Sequence, residues 1–147
     1  MPYLQTCAAV AATPAEPAVE PTRVLLADDD DDGRRALARL LRAEGYVVTE
    51  AATGHELVAY LGLASSAAGL FSPPDVVVAD VWMPGPTGLD VLAALSQSDW
   101  RIPVVLMTGA RQEGMREEAE RHGVVALADK PVDFEALVTA IANATRT

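Results

Sequence analysis

Short apolar runs separated by amphipathic stretches fill the chain from Arg23 onwards, and this alternation limits the fold more than any other feature. Each run is only a few residues long and most are apolar throughout, as in strands that are buried on both faces of a parallel sheet. The runs predict five strands, at 24–27, 46–49, 76–79, 104–107 and 124–128.

Amphipathic stretches between these runs predict five helices. Two are well marked: one ends at Gly45, a residue suited to the left-handed turn after a helix, and the last follows a capping Asp133 with Val132 placed to pack on Leu137. Their predicted apolar faces are Ala36, Leu37, Leu40 and Leu41, and Phe134, Leu137, Val138 and Ile141. Weaker patterns predict helices over 54–61, 89–95 and 112–122. The alternation predicts a doubly wound α/β domain, a five-stranded parallel sheet with helices on both faces.

Residues 1–22 differ from the rest of the chain because they are rich in Ala and Pro and have no helical or strand period. We expect them to form a disordered arm before a single domain over 23–147. The arm has no Lys or Arg, so it lacks the basic flank of a signal peptide, and we expect a cytoplasmic protein. The lone Cys7 gives no sign of a disulfide scaffold.

The net charge of −10 disfavours direct contact with nucleic acid or an anionic membrane. The longest uncharged run, 57–74, is interrupted by Gly, Ser and Pro and is read as the end of a helix followed by a loop. We therefore expect neither a nucleic-acid ligand nor a membrane span.

Polar side chains stand where the predicted strands end. Asp28 and Asp29 follow the first strand, Asp80 the third and Thr108 the fourth, and Lys130 lies just beyond the fifth. The carboxyl ends of parallel strands meet at one edge of the sheet, so three carboxylates converge there and require a compensating cation. Oxygen ligands favour Mg²⁺ or a similar hard ion. A hydroxyl and an ammonium suit the oxygens of a phosphoryl group.

Four motifs at these strand ends resemble the receiver domain of two-component response regulators, the family that includes the bacterial chemotaxis regulator. They read VLLADDD at 24–30, VVVADVWMPGPTG at 76–88, VVLMTG at 104–109 and ADKPVDFEAL at 128–137. The resemblance covers residues 23 to about 144. It implies the flavodoxin-like strand order 2-1-3-4-5 and a signalling protein that takes part in its own phosphotransfer and dephosphorylation, rather than an enzyme.

The resemblance also implies roles for these residues. Asp80 would be the phosphoacceptor. Asp29, Asp80 and the backbone carbonyl of Trp82 would bind Mg²⁺ directly, with Asp28 acting through water. Thr108 would hydrogen-bond the phosphoryl group, and Lys130, before a cis proline, would pair with its charge. The implied partners are a sensor histidine kinase or phosphotransfer protein and a downstream protein, with a homodimer left open.

Two departures from the family pattern are visible. Leu127 stands where receivers usually carry Tyr or Phe, which puts an aromatic switch in doubt, and the 62–74 connection is several residues longer than expected. That connection, either a helix extension or a loop, is expected to lie away from the phosphorylation edge. In the acidic run, Asp31 or Asp32 is expected to cap the first helix.

Two other functions remain open at this point. A phosphohydrolase of the haloacid dehalogenase class also uses a strand-end aspartate with Thr, Lys and Mg²⁺, but its DxDxT pattern fails because Asp32 occupies the Thr position. A degenerate receiver that only binds proteins is the other alternative, although the acidic, Thr and Lys positions are all retained.

Overall fold

The structure, a computed structural model, describes residues 20–65 and 72–146. Strands and helices alternate along this part of the chain: β1 (Arg23–Ala27), α1 (Asp31–Ala43), β2 (Val47–Ala51), α2 (Gly54–Ala64), β3 (Val76–Asp80), α3 (Gly88–Ser96), β4 (Val104–Thr108), α4 (Met115–Arg121), β5 (Ala126–Asp129) and α5 (Phe134–Thr145). The strands form one parallel sheet in the order β2-β1-β3-β4-β5. The predicted fold is confirmed, while most of the predicted N-terminal arm lies outside the described residues.

Successive side chains of the central strands enter two apolar layers, one on each face of the sheet. Leu25 and Leu106 face the layer that includes residues of α2, α3 and α4, whereas Leu26 and Met107 face the layer that includes residues of α1 and α5. Leu26, Leu106 and Met107 have no accessible surface, and burying each contributes about 1.5–3 kcal/mol. This two-sided burial explains why the strands read as continuous apolar runs.

β3 and β4 each end one residue later than the sequence predicts. Asp80 and Thr108 are the last residues of β3 and β4, because Asp80 pairs in register with Met107 and Thr108 with Asp129. Both side chains are therefore fixed by the sheet rather than carried by a loop. β2 and β5 each begin later than predicted, at Val47 and Ala126.

The buried face of α1 differs from the predicted one. Ala36 and Leu40 point outwards, and Leu40 is 49% exposed. The inward face instead consists of Arg34, Leu37, Ala38 and Leu41, spaced i, i+3, i+4 and i+7. The face was misassigned because an arginine occupies its first inward position.

The capping prediction for α1 is wrong in position. Asp30 is the N-cap residue and makes no side-chain cap hydrogen bond, while Asp31 and Asp32 lie in the first turn. Their negative charge there still favours the positive end of the helix dipole. The predicted cap of α5 is confirmed, since the Asp133 side chain accepts a hydrogen bond from the backbone N–H of Ala136 at 3.2 Å.

The long connection between α2 and β3 begins as a helix extension, because α2 continues to Ala64. Residues 66–71 lie outside the described residues. On the other side, Asp75 and Arg23 exchange two hydrogen bonds of 2.8 Å at the amino ends of β3 and β1. This end of the connection is opposite the carboxyl edge, as expected. None of the helices described here is long and apolar enough to cross a membrane.

Candidate functional site

Four polar or charged side chains are buried within residues 20–65 and 72–146: Asp28, Arg34, Asp80 and Thr108. Three of them were predicted as site residues, and all three lie at the carboxyl edge of the sheet, at or just after the ends of β1, β3 and β4. Burying a polar group costs free energy unless it is hydrogen-bonded. The burial of these groups at the edge of an apolar core marks this edge as the candidate site.

Lys130 reaches the same edge from the end of β5. Its Nζ lies 2.9 Å from Asp28 Oδ2 and 2.8 Å from Asp80 Oδ2, so one ammonium bridges two carboxylates. Burial lowers the pKa of Lys130, but the hydrogen bonds and charges of Asp80 and Asp28 outweigh it and raise the pKa above its ordinary value. The lysine is therefore held in its charged form.

The pKa of Asp80 is raised even though Lys130 contacts its carboxylate. Burial raises the pKa of its carboxyl group, and the nearby charge of Asp28 adds to the rise, while Lys130 and the backbone N–H of Trp82 act against it. The Trp82 N–H donates to Asp80 Oδ1 at 3.1 Å. Further positive charge at this edge would favour the ionised carboxylate.

The predicted metal-binding carboxylates are brought together. Asp28, Asp29 and Asp80 each offer an oxygen, and these oxygens lie within 4.8 Å of one another. Asp29 is exposed, so the group opens to solvent on one side. An all-oxygen set with room for water fits a small hard divalent cation. The role predicted for the backbone carbonyl of Trp82 stays a prediction.

The Thr108 side chain makes its hydrogen bonds with the loop that follows β4. Its hydroxyl donates to the carbonyl of Ala110 at 2.9 Å and accepts from the Ala110 N–H at 3.1 Å. The same carbonyl accepts the indole N–H of Trp82 at 3.0 Å. The Ala110 carbonyl thus links the loop after β4 to the loop after β3, directly beside Asp80.

The backbone after Asp80 folds back closely. Gly85 has φ +81°, and a Cβ added to Gly88 would lie 2.6 Å from the carbonyl oxygen of Asp80. The Lys130–Pro131 bond is cis, as the resemblance implies. Glycine at position 88 allows α3 to begin against the strand end that carries Asp80.

Arg34 is a residue of this edge that the sequence analysis missed. It donates to the backbone carbonyl of Asp28 at 3.0 Å and pairs with Asp31 at 2.7 Å and Glu50 at 3.1 Å. The hydrogen bond and charge of Arg34 hold the pKa of Asp31 below its usual value. The sequence holds one sign of it, the helical spacing of three, four and seven residues from Arg34 to Leu37, Ala38 and Leu41, but arginine on a helix normally indicates the solvent face.

Arg111 was also missed. Its guanidinium lies 2.6 Å from Asp129 Oδ1 and 3.2 Å from the carbonyl of Leu127, so it ties the loop after β4 to β5. Leu127, at the usual aromatic position, is only half-buried. Neither His55 nor His122 is among the site residues, and His122 contacts Ser96 at 3.1 Å.

The match to a family model decides the relationship. The model of the response regulator receiver domain matches residues 24–142. The chain belongs to this family. Its members are signalling proteins of two-component systems rather than classical enzymes, so the phosphohydrolase alternative loses its support.

Known proteins agree with this assignment. The transcriptional regulatory protein PdtaR of Mycobacterium tuberculosis is 37% identical over 88% of this chain and 58% of its own length. The DNA-binding transcriptional regulator NtrC of Salmonella typhimurium is 31% identical over 82% of the chain and 24% of its own length. The structure of the Vibrio cholerae chemotaxis protein CheY4 superposes with a TM-score of 0.71 at 27% identity, covering 85% of this chain and 99% of that one. The receiver thus spans only part of these two regulators.

Proposed function

We propose that this receiver accepts a phosphoryl group on Asp80 from a phosphohistidine of a sensor histidine kinase or phosphotransfer protein, in a reaction that requires Mg²⁺, and thereby switches a protein-interaction surface. The observation that carries the proposal is the bridging of Asp28 and Asp80 by Lys130 at 2.9 and 2.8 Å, at an edge that also holds Asp29 and Thr108. A positive group is poised where phosphoryl oxygens would arrive.

Asp28, Asp29 and Asp80 would hold the ion, with the Trp82 carbonyl as a further ligand and Asp28 acting through water. Their convergence and the raised pKa of Asp80, caused first by burial, support a site that gains from positive charge. When bound, Mg²⁺ supplies charge that offsets repulsion between the carboxylates and an incoming phosphoryl group.

The residues of this chain then provide the geometry of transfer. A carboxylate oxygen of Asp80 attacks phosphorus, a P–O bond forms, and the P–N bond to the donor imidazole breaks, with the bonding pair returning to the ring nitrogen. Lys130 moves its ammonium from the carboxylates towards the phosphoryl oxygens. Thr108 exchanges its hydrogen bond to the Ala110 carbonyl for one to a phosphoryl oxygen, which displaces the loop after β4.

We propose that this displacement reaches the face formed by α4, β5 and α5 by a route that lacks an aromatic ring. Leu127 has no phenol and less area to bury than Tyr or Phe. Arg111 is the group that joins the moving loop to Leu127 and Asp129 in the described structure. The downstream protein that reads this face is unidentified.

We also propose the bounds of the domain, its location in the cell and the partners that it does not contact. We take 23–147 as the receiver unit and 1–22 as an arm, place the protein in the cytoplasm as is usual for the family, and expect no direct contact with nucleic acid or membrane. The regulators matched here act in transcription, according to their names, but this chain aligns with only 58% of PdtaR and 24% of NtrC. The transcriptional activity of these regulators is therefore a property of those proteins and is not proposed for this chain.

Incubation with acetyl phosphate tests the chemistry. In the presence of Mg²⁺, the intact mass of the wild type should rise by one phosphoryl group, and the label should be released by hydroxylamine, as expected for an acyl phosphate. Asp80→Asn should take up no label, and chelation of Mg²⁺ should abolish labelling of the wild type. Asp99→Asn is the matched control, because Asp99 is an exposed aspartate in the connection that enters the opposite end of β4.

A hydroxylamine-resistant phosphate that persists in Asp80→Asn would place the modification on another residue and refute the assignment. Size-exclusion chromatography of the same samples, with beryllofluoride as a stable substitute for the phosphoryl group, measures whether the switched state forms the homodimer that the sequence left open.

A further inference from the structure

Arg34 is buried beside the acidic edge although it lies on a surface helix. It is 7% exposed, and its guanidinium serves three acceptors on three segments: the Asp28 carbonyl after β1, Asp31 on α1 and Glu50 on β2. A guanidinium presents its donors in a rigid planar fork, so these three bonds fix the relative positions of the segments. Burial of such a charge is tolerated only when it is paired and hydrogen-bonded.

The contact with Asp28 is the one that concerns the candidate metal site. Asp28 has each of its polar groups engaged: its N–H with Ala51, its carbonyl with Arg34, and its two carboxylate oxygens with the Asp30 N–H and Lys130. The carbonyl held by Arg34 belongs to the planar peptide that leads into Asp29. Fixing this peptide fixes the start of the Asp29 residue as well as the end of Asp28.

We propose that Arg34 is a positioning residue for the divalent-cation site. It holds the Asp28–Asp29 peptide so that both carboxylates stay beside Asp80. The role rests on the proposed function, because it concerns the cation that the carboxylates would bind. Arg34 contacts no predicted ligand oxygen in the structure and acts through the backbone.

Two effects of removing Arg34 have opposite signs, and this makes the proposal testable. Loss of a positive charge near three carboxylates, taken alone, strengthens the attraction for a cation. Loss of the hydrogen bond to the Asp28 carbonyl loosens two ligands and weakens binding. If positioning dominates, Arg34→Ala lowers the affinity for Mg²⁺ even though it makes the protein more negative.

The same helix offers a matched control. Arg42 also pairs with Glu50, at 3.3 Å, and also donates to a strand carbonyl, that of Val48 at 2.9 Å, but it lies in the last turn of α1. Arg42→Ala removes the same charge from the same helix without touching Asp28. Glu50→Gln removes the ion pair that both arginines share and leaves the Asp28 carbonyl with its donor.

The experiment is a Mg²⁺ titration of the whole chain followed by tryptophan fluorescence, since Trp82 lies two residues from Asp80. Arg34→Ala should bind Mg²⁺ roughly tenfold more weakly than wild type, as expected when a group that orients metal ligands is removed. Arg42→Ala and Glu50→Gln should bind close to wild type. Circular dichroism checks that each variant is folded, and Arg34→Lys, which keeps the charge but lacks the fork, should fall between Arg34→Ala and wild type.

Equal or tighter binding in Arg34→Ala overturns the positioning role, and so does a loss of the same size in Glu50→Gln. Different results would refute the proposed function itself. If wild type shows no Mg²⁺ binding, or if Asp29→Ala binds as well as wild type, the metal assignment itself fails. If wild-type binding depends on Asp29 but survives loss of Arg34, only the positioning role fails.

Discussion

At the scale of single residues, we expect Trp82 and Ala110 to flank the path by which water would approach a phosphorylated Asp80. The indole is 39% exposed and its N–H donates to the Ala110 carbonyl at 3.0 Å, so the ring is held between the loops after β3 and β4. Neither side chain offers a carboxylate or amide to orient a water molecule. Hydrolysis needs a water in line with the leaving Asp80 oxygen, so we expect slow self-dephosphorylation.

Substituting Trp82→Asn and Ala110→Glu together should shorten the lifetime of the phosphorylated protein by roughly tenfold, which corresponds to about 1.4 kcal/mol of activation barrier. The double substitution removes the bulky ring and introduces polar groups that orient water. The measurement is the loss of label from purified phosphorylated protein. Trp82→Phe is the control, since it keeps an aromatic ring but removes the indole N–H, and it should resemble wild type. An unchanged or longer lifetime in the double variant would show that access at these positions does not limit hydrolysis.

The site residues differ in how readily sequence reveals them. Asp28, Asp80, Thr108 and Lys130 could be predicted because each interrupts or follows an apolar run, where a buried polar group needs a reason. Arg34 could not be predicted with the same logic, because arginine on a helix normally signals the solvent face. Its burial depends on an ion pair with Glu50, which lies outside the helix on β2. The position of the α1 cap was also missed, because five consecutive aspartates give no local contrast.

At the scale of elements, the start of α2 packs closely against the loop that follows Asp80. A Cβ added to Gly54 at the start of α2 would overlap the backbone carbonyl oxygen of Pro86. The Gly54 N–H also donates to the Pro84 carbonyl at 3.0 Å. The backbone of Pro86 leaves no room for a side chain, so glycine is required there by close approach.

Gly54→Ala should therefore destabilise the protein by about 1–3 kcal/mol, the usual cost of forcing an extra carbon into a packed region. Gly62→Ala in the same helix should do the opposite. Gly62 is exposed and nothing lies within 4 Å of its added Cβ, so replacing it gains about 0.5–1 kcal/mol of helix stability. Urea denaturation of both variants measures the two free energies of unfolding. A Gly54→Ala protein as stable as wild type would contradict the close approach.

The number and order of the elements were predictable, but some boundaries were not. The second strand is predicted to begin at Tyr46, yet the Tyr46 N–H donates to the Leu41 carbonyl of α1 and the strand begins at Val47. Among the described residues β5 pairs only with β4 and is mostly half-buried, and it begins at Ala126 although Val124 and Val125 before it are apolar. Tertiary hydrogen bonds set these limits, and a local pattern does not contain them.

At the scale of the whole molecule, the net charge disfavours one class of partner. The net charge of −10 and the acidic edge oppose approach to a polyanion. NtrC, a relative described as DNA-binding, extends well beyond the region that matches this chain, which covers 24% of its length. The sequence could not identify the kinase or the downstream protein, because recognition depends on a partner's surface as much as on this one.

We expect the chain not to bind duplex DNA, with or without beryllofluoride and Mg²⁺. Binding to phosphates without sequence preference relies on Lys and Arg that release counterions, and here 11 basic residues are outnumbered by 21 acidic ones. Fluorescence anisotropy of a labelled duplex, titrated with protein at low and at physiological salt, should show no saturable rise. Titrations without Mg²⁺ are the control for screening of the acidic surface. A saturable rise that weakens steadily with salt would reveal a basic contact surface and would make this chain a direct partner of nucleic acid.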